Sequence, residues 1–234
     1  MNQNIIEVKN LTKEFRGRPV LKNITMAIPC NCVYGLLGAN GAGKSTLLKT
    51  MTGLLRPSSG EIYFKGHIWS RKDLTNIGAL IENPPIYENL TAWENMKVRA
   101  LLIGAADERI REVLKITDIA DTGNKKAGAF SLGMKQRLGI ALALLGEPKL
   151  LVLDEPINGL DPVGIQELRH LIRSFPGKGI TVIISSHILS EIRQMADYIG
   201  IISDGKLGFE GKTEEHENLE ELFMEIALKG REER

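Results

Sequence analysis

Residues Leu37 to Ser45 read LGANGAGKS, and the understanding of that stretch decides the fold. Three glycines, two alanines and a lone lysine lie between an apolar run, VYGLL (Val33–Leu37), and a helix-forming run, TLLKTMTGLL, that starts at Thr46. Glycine weakens regular structure because it loses the most backbone freedom on folding. A cluster of glycines therefore needs a reason, either a tight turn or an anion that must touch the backbone. The spacing G-x-x-x-x-G-K-[ST] is met in full from Gly38 to Ser45, between a strand and a helix as that motif requires.

The residue types explain the spacing. Along Gly38, Ala39, Asn40, Gly41, Ala42 and Gly43 the scarcity of large side chains lets successive N–H groups close around phosphate oxygens. A helix beginning near Lys44 adds its own unpaired N–H groups and dipole. Lys44 is expected to reach the β- and γ-phosphates, Ser45 to ligate Mg²⁺ and Thr46 to contact the α-phosphate. Such a loop needs a carboxylate on the metal side, and LLVLDEP (Leu150–Pro156) supplies one. Its four apolar residues read as a strand buried on both faces, carrying Asp154 to the end where ligands of open α/β sheets gather. Asp154 is expected in the Mg²⁺ shell. Glu155, one residue beyond the strand, is placed to polarise an attacking water, which is most of what phosphoryl transfer asks of a protein besides charge neutralisation.

Outward from these motifs, NIGALI (Asn76–Ile81), TVIISS (Thr181–Ser186) and YIGIIS (Tyr198–Ser203) are also near-continuously apolar, the signature of parallel strands covered on both faces. IIEVKNL, NITMAI and GEIYFKG are short, alternating and separated by turn signals, and read as an antiparallel sheet beside the main one. TAWE (Thr91–Glu94) is a capping box opening a helix, DERIREVLKITDI continues helically, and no strand pattern occurs between Thr91 and about Leu145. ISDGKLGFEG reads as a hairpin turning at Asp204-Gly205. The expected fold is therefore α/β, a P-loop NTPase core with a mixed, mostly parallel sheet, an N-terminal antiparallel β subdomain and an inserted α-helical subdomain. The expected boundaries are 1–87 and 147–234 for the core and 88–146 for the insertion. In the tail NLEELFMEIAL, Leu219, Leu222, Phe223 and Ile226 share one helical face, which reads as a helix packed on its own domain ahead of a partner-binding helix.

Bulk properties set limits. The chain has 234 residues, 43% hydrophobic and 25% charged, with a net charge of +1, a soluble globular mix without the basic excess of a nucleic-acid binder. Cys30 and Cys32 lack a second Cys or His pair and read as ordinary thiols of a reducing compartment. The opening MNQNIIEVKN has no basic or apolar leader character. The longest apolar run, LGIALALLG, falls far short of the about 20 residues of a bilayer span, so membrane attachment is expected only through a partner.

The set of motifs resembles the nucleotide-binding subunit of ATP-binding cassette transporters, over nearly the whole chain and in the expected order. SLGMKQR (Ser131–Arg137) is similar to the family signature, with Phe130 where Leu is usual. The resemblance implies a D-loop at Asn158-Gly159-Leu160-Asp161 and a switch histidine at His187 able to hydrogen-bond a γ-phosphate. It makes Glu155, His187 and Lys44 the catalytic set, and puts Phe15 where an aromatic stacks on adenine, although a core or edge aromatic would look the same. Ser131 can cap a helix and present amides to an anion, and Gly133 permits close approach. Alone they would read as a plain capped helix. In the family this segment, Ser131 and Gly133 included, completes the ATP site of the opposite subunit, so that two ATP molecules lie between head-to-tail cassettes.

The chain also departs from the pattern. Glu82 stands where the family usually has a glutamine, which would place a carboxylate beside Ser45 and Asp154 as a Mg²⁺ ligand and bring extra negative charge toward the γ-phosphate. Leu132 and Met134 replace the usual Gly and Gln of the signature. ENPPIYENLTAWEN and FSLGMKQRLGIALALL resemble bacterial cassettes of the bacitracin-resistance and lantibiotic-immunity type. That resemblance implies ATP and Mg²⁺ as ligands and a second copy or paralogous cassette as partner. It also implies a separate transmembrane permease docked on the helical insertion and the Glu82 loop, and a place on the cytoplasmic face of the membrane without nucleic acid. A soluble ATPase for cofactor assembly or for protein or ribosome remodelling is the alternative; a cassette that binds ATP without hydrolysing it is disfavoured by Glu155 and His187.

Overall fold

A computed structural model describes residues 4–215 and 218–232. Strands β1 (Asn4–Phe15) and β2 (Arg18–Pro29) form a long antiparallel hairpin, extended by β4 (Ser59–Phe64) and β5 (His67–Ile68) into a four-stranded sheet of order β2-β1-β4-β5. Between β2 and β4 lie β3 (Val33–Leu37) and α1 (Lys44–Met51). The first two strands are each 12 residues long, not short as their sequence implies. Asn10 and Asn23, which look like turn residues, instead take φ of 51° and 56° at register shifts within the ladder. Asparagine tolerates that region, and a bulge lets a strand continue past the break in alternation.

The second sheet has six strands in the order β10-β9-β3-β8-β7-β6, with β6 at Ile77–Leu80, β7 at Leu150–Leu153, β8 at Thr181–Ser186, β9 at Tyr198–Ser203 and β10 at Lys206–Lys212. All neighbours pair in parallel except β9 and β10, which turn at Asp204-Gly205. Every residue of β3, β7 and β8 is buried, and the pleat divides them between two cores. Val33, Leu37, Leu151, Leu153, Val182 and Ile184 face one; Tyr34, Leu36, Leu150, Val152 and Ile183 face the other, which also holds the inward residues of the four-stranded sheet and Leu47, Leu48 and Met51 of α1. Because both faces are apolar, the sequence runs without alternation.

The first core is roofed by α2 (Ala92–Ile103), α3 (Asp107–Ile116) and α4 (Leu132–Leu144) and flanked by α5 (Pro162–Ser174) and α6 (Leu189–Met195). The capping box opens α2 as its residues require: Thr91 Oγ1 accepts from Glu94 N at 3.1 Å and Glu94 Oε2 accepts from Thr91 N at 2.7 Å. Gly104, in the left-handed region, ends α2, so DERIREVLKI forms a separate helix. Helix α7 (Leu219–Glu232) packs Leu219, Leu222, Phe223 and Ile226 on the first core, the intramolecular packing its stripe suggests. Both cysteines are free thiols. Burial, with the nearby Asp197 carboxylate, pushes the Cys32 thiol up to about 12. Among the described residues no helix is long and apolar enough to cross a membrane.

Candidate nucleotide site

The phosphate loop leaves the end of β3 and enters α1 at Gly43, whose φ of 111° no larger residue would adopt without strain. No side chain caps α1, in contrast to Thr91, Ser131 and Asp161, which each cap a helix of their own. The first-turn N–H groups of α1 are thus left for an anion. The loop is braced from behind by the β9–β10 turn: Gly205 N donates to Ala42 O at 3.0 Å, and Lys22 N donates to Gly205 O at 2.8 Å.

Lys44 is 5% exposed, and a buried ammonium needs compensation. Its Nζ donates to Gly38 O at 2.7 Å and Ala39 O at 3.3 Å, and lies 3.1 Å from Glu155 Oε1. The other oxygen, Glu155 Oε2, is 2.9 Å from His187 Nδ1. Three residues delivered by β3–α1, β7 and β8 thus form one chain, Lys44–Glu155–His187. Asp154 is buried at the end of β7. Ser185 Oγ donates to Asp154 Oδ1 at 2.5 Å and accepts from Glu155 N at 2.9 Å, so a single hydroxyl supports both carboxylate residues. Glu155 sits at φ 50°, turning its side chain off the strand line.

The remaining expected residues divide. Phe15, at the end of β1, is 44% exposed with Lys13 Nζ 5.0 Å from its ring centre. It is available for stacking and is no core aromatic. Glu82, just past β6, is exposed and paired with Lys49 on α1, one turn after Ser45. Ser131 and Gly133 line a separate cleft of about 410 Å³ with Gly159, Leu160 and Asp161. There Ser131 Oγ caps α4 by accepting from Met134 N at 3.3 Å, and Asp161 caps α5 by accepting from Gly164 N at 2.7 Å. The residues expected to form the signature and the D-loop therefore share one surface, apart from the phosphate loop of the same chain. Sequence reasoning missed Ser185 and Lys49; the polar pair closing TVIISS was the one available signal for the former.

The donor set fits a metal–nucleotide complex. A hydroxyl at Ser45 and a carboxylate at Asp154 suit a Mg²⁺ ion completed by phosphate oxygens. The uncapped helix and Lys44, whose loop partners are only carbonyls, suit the phosphates themselves.

The ABC transporter family model matches residues 21–158. The chain belongs to the ABC transporter family. It is an ATP-binding subunit and an ATPase of that family, built on the P-loop NTPase fold. The cassette is 51% identical over 219 residues to the lantibiotic transport ATP-binding protein SrtF of Streptococcus pyogenes, covering 94% of this chain and 96% of that one. It is 47% identical over 208 residues to the bacitracin transport ATP-binding protein BcrA of Bacillus licheniformis, covering 87% and 68%. Among solved structures it resembles a dimeric ATP-binding cassette in a post-hydrolysis state bound to ADP and Pi. That match has a TM-score of 0.78 at 26% identity, over 89% of this cassette and 98% of the other chain.

Proposed function

We propose that the cassette is the motor of a transporter that clears antimicrobial peptides of the lantibiotic or bacitracin class from the membrane, acting at its cytoplasmic face on a separate permease. The observation that carries the motor role is the Lys44–Glu155–His187 chain beside Asp154. The cargo class rests on the likeness to SrtF and BcrA. Two copies, or this chain and a paralogue, would pair head to tail, each offering Ser131 and Gly133 to the other's nucleotide. The helical insertion, 88–146, and the Glu82 loop would meet the permease. A groove of about 300 Å³ lined by Pro85, Tyr87, Val98, Arg99 and Leu102 supports that reading, with Leu101 and Leu102 exposed beside it.

In this reading the resting cassette keeps Lys44 neutralised by Glu155. Phosphate entering the loop draws Lys44 off the Gly38 and Ala39 carbonyls and off Glu155. The freed carboxylate then takes the proton of the attacking water, while His187 holds its orientation through Nδ1 and has Nε2 to offer to the γ-phosphate. Ser45, Asp154 and Glu82 would hold Mg²⁺, which neutralises charge on the β- and γ-phosphates; Thr46 would meet the α-phosphate and Phe15 would stack on adenine.

Glu155→Gln tests the proposal. The purified variant is expected to bind ATP at least as tightly as wild type, because a neutral amide competes less for Lys44. Its turnover should fall roughly 10²-fold or more, the usual worth of a general base. Cells carrying only this variant are expected to keep the chain on the membrane yet become sensitive to lantibiotic-type peptides. Full turnover would remove Glu155 from its role; a chain that stays off the membrane, with unchanged peptide tolerance, would favour the soluble ATPase.

A further inference from the structure

Glu82 brings a negative charge to a position where the family pattern has a neutral glutamine, and the structure supplies that charge with a partner. Glu82 Oε1 lies 2.5 Å from Lys49 Nζ. Lys49 follows Ser45 by four residues on α1, so the two share a helix face. Among the described residues Lys49 is the cation that pairs with Glu82. The carboxylate is 64% exposed and the lysine 28%, so the pair does little for folding. Its consequence is electrostatic. A bare carboxylate near a triphosphate repels it, and a cation on the same carboxylate cancels that field.

We propose that Lys49 is a charge-compensating residue for Glu82, the two together standing in for a neutral glutamine beside the nucleotide. The inference rests on the reading above that Glu82 faces bound nucleotide. It accounts for how the acid is tolerated at this place before metal is bound. Lys49 is not itself a phosphate ligand in this account: it stands a full turn beyond the helix start, and its ammonium is held by Glu82.

The test is equilibrium ATP binding by calorimetry in EDTA, so that no metal intervenes, on wild type, Lys49→Met, Glu82→Gln, Lys49→Arg and the double variant that joins Lys49→Met to Glu82→Gln. Methionine retains length and helix preference, and the melting temperatures of the nucleotide-free variants should stay within about 2 °C of wild type, as a surface pair implies. Lys49→Met is expected to weaken metal-free ATP binding by about three- to tenfold, and the loss should fade near 1 M salt, where the screening length is about 3 Å. Lys49→Arg should bind as wild type does, and the double variant should return to within about twofold of wild type, the net charge being restored. A double variant as weak as Lys49→Met alone would overturn the proposal, because Lys49 would then act on the phosphates directly. Wild-type affinity in both Lys49→Met and Glu82→Gln would overturn it too, along with the placement of Glu82 near nucleotide, so the two failures are distinguishable.

Discussion

Ser185 illustrates how much of this site is held by a residue that does no chemistry. It is 1% exposed, donates to Asp154 and accepts from the Glu155 amide. Removing it strands a buried carboxylate oxygen and a backbone N–H together. Ser185→Ala is expected to cost about 1–3 kcal/mol in denaturant unfolding, the usual penalty for unmet buried groups. It should lower turnover by roughly 10- to 100-fold, as loss of a partner behind a metal ligand does, the role proposed for Asp154, while ATP affinity falls much less because the phosphate loop is untouched. An equal loss in affinity and turnover would mean that Ser185 supports the fold of the whole site and has no particular hold on the two carboxylates. The phosphate loop and the LLVLDEP carboxylates were legible in the sequence because each is a contiguous string whose flanks name its structure. Ser185, Lys49 and the Lys44–Glu155 pair were not, because each contact joins elements far apart along the chain and depends on strand order, which local pattern does not encode.

At the level of elements, the phosphate loop is positioned by its neighbours as much as by its own glycines. The β9–β10 turn reaches Ala42 through Gly205 N and is in turn held by Lys22 N. The side chains of Lys22 and Asp204 also pair. A Cβ on Gly205 would lie 2.2 Å from Val20 O, at φ 76°. Gly205→Ala must therefore push the turn away from both Val20 and Ala42. The expected cost is about 2 kcal/mol, roughly 4–8 °C in melting temperature, together with weaker ATP binding. Gly66 has a similar φ of 82° but nothing within 4 Å of its would-be Cβ, so Gly66→Ala should cost about 1 kcal/mol of strain and leave ATP binding unchanged. If the two variants bind ATP alike, the turn does not brace the loop. The same hairpin was readable from Asp204-Gly205 between apolar runs. The length of β1 and β2 was not, since a left-handed asparagine serves a turn and a bulge equally well and only the partner strand distinguishes them.

Across the whole molecule, the two sheets are joined by a polar knot around the buried Tyr34, with Glu210 at its solvent edge, as well as by apolar packing. Glu210 on β10 accepts from Tyr34 OH on β3 at 2.8 Å and from Ala27 N on β2 at 3.1 Å, both through Oε1. Burial pushes the Glu210 carboxyl above its usual 4.5, with the bonds from Tyr34 and Ala27 opposing the shift; burial, with Glu210 itself, drives the Tyr34 phenol well above its ordinary range. A carboxyl whose native pKa is raised binds its proton more tightly folded than unfolded. Its contribution is therefore fully present below pH 4.5 and is lost as pH rises through the native value, staying flat beyond. Glu210→Gln keeps an oxygen where Tyr34 and Ala27 both donate, and never carries the charge. Other carboxylates titrate alike in both proteins, so the difference in unfolding free energy, wild type minus variant, isolates this group. That difference is expected to move toward the wild type as pH falls from about 7 toward about 4.5, with the variant at least as stable near neutral pH. Glu210→Ala lacks the titrating group too, so its difference curve should carry the same slope, offset by about 1–3 kcal/mol because it orphans the buried Tyr34 hydroxyl. A difference curve that slopes the other way would mean that the carboxylate form is the one the fold prefers, and that the knot joins the sheets by charge and not by shared hydrogen bonds.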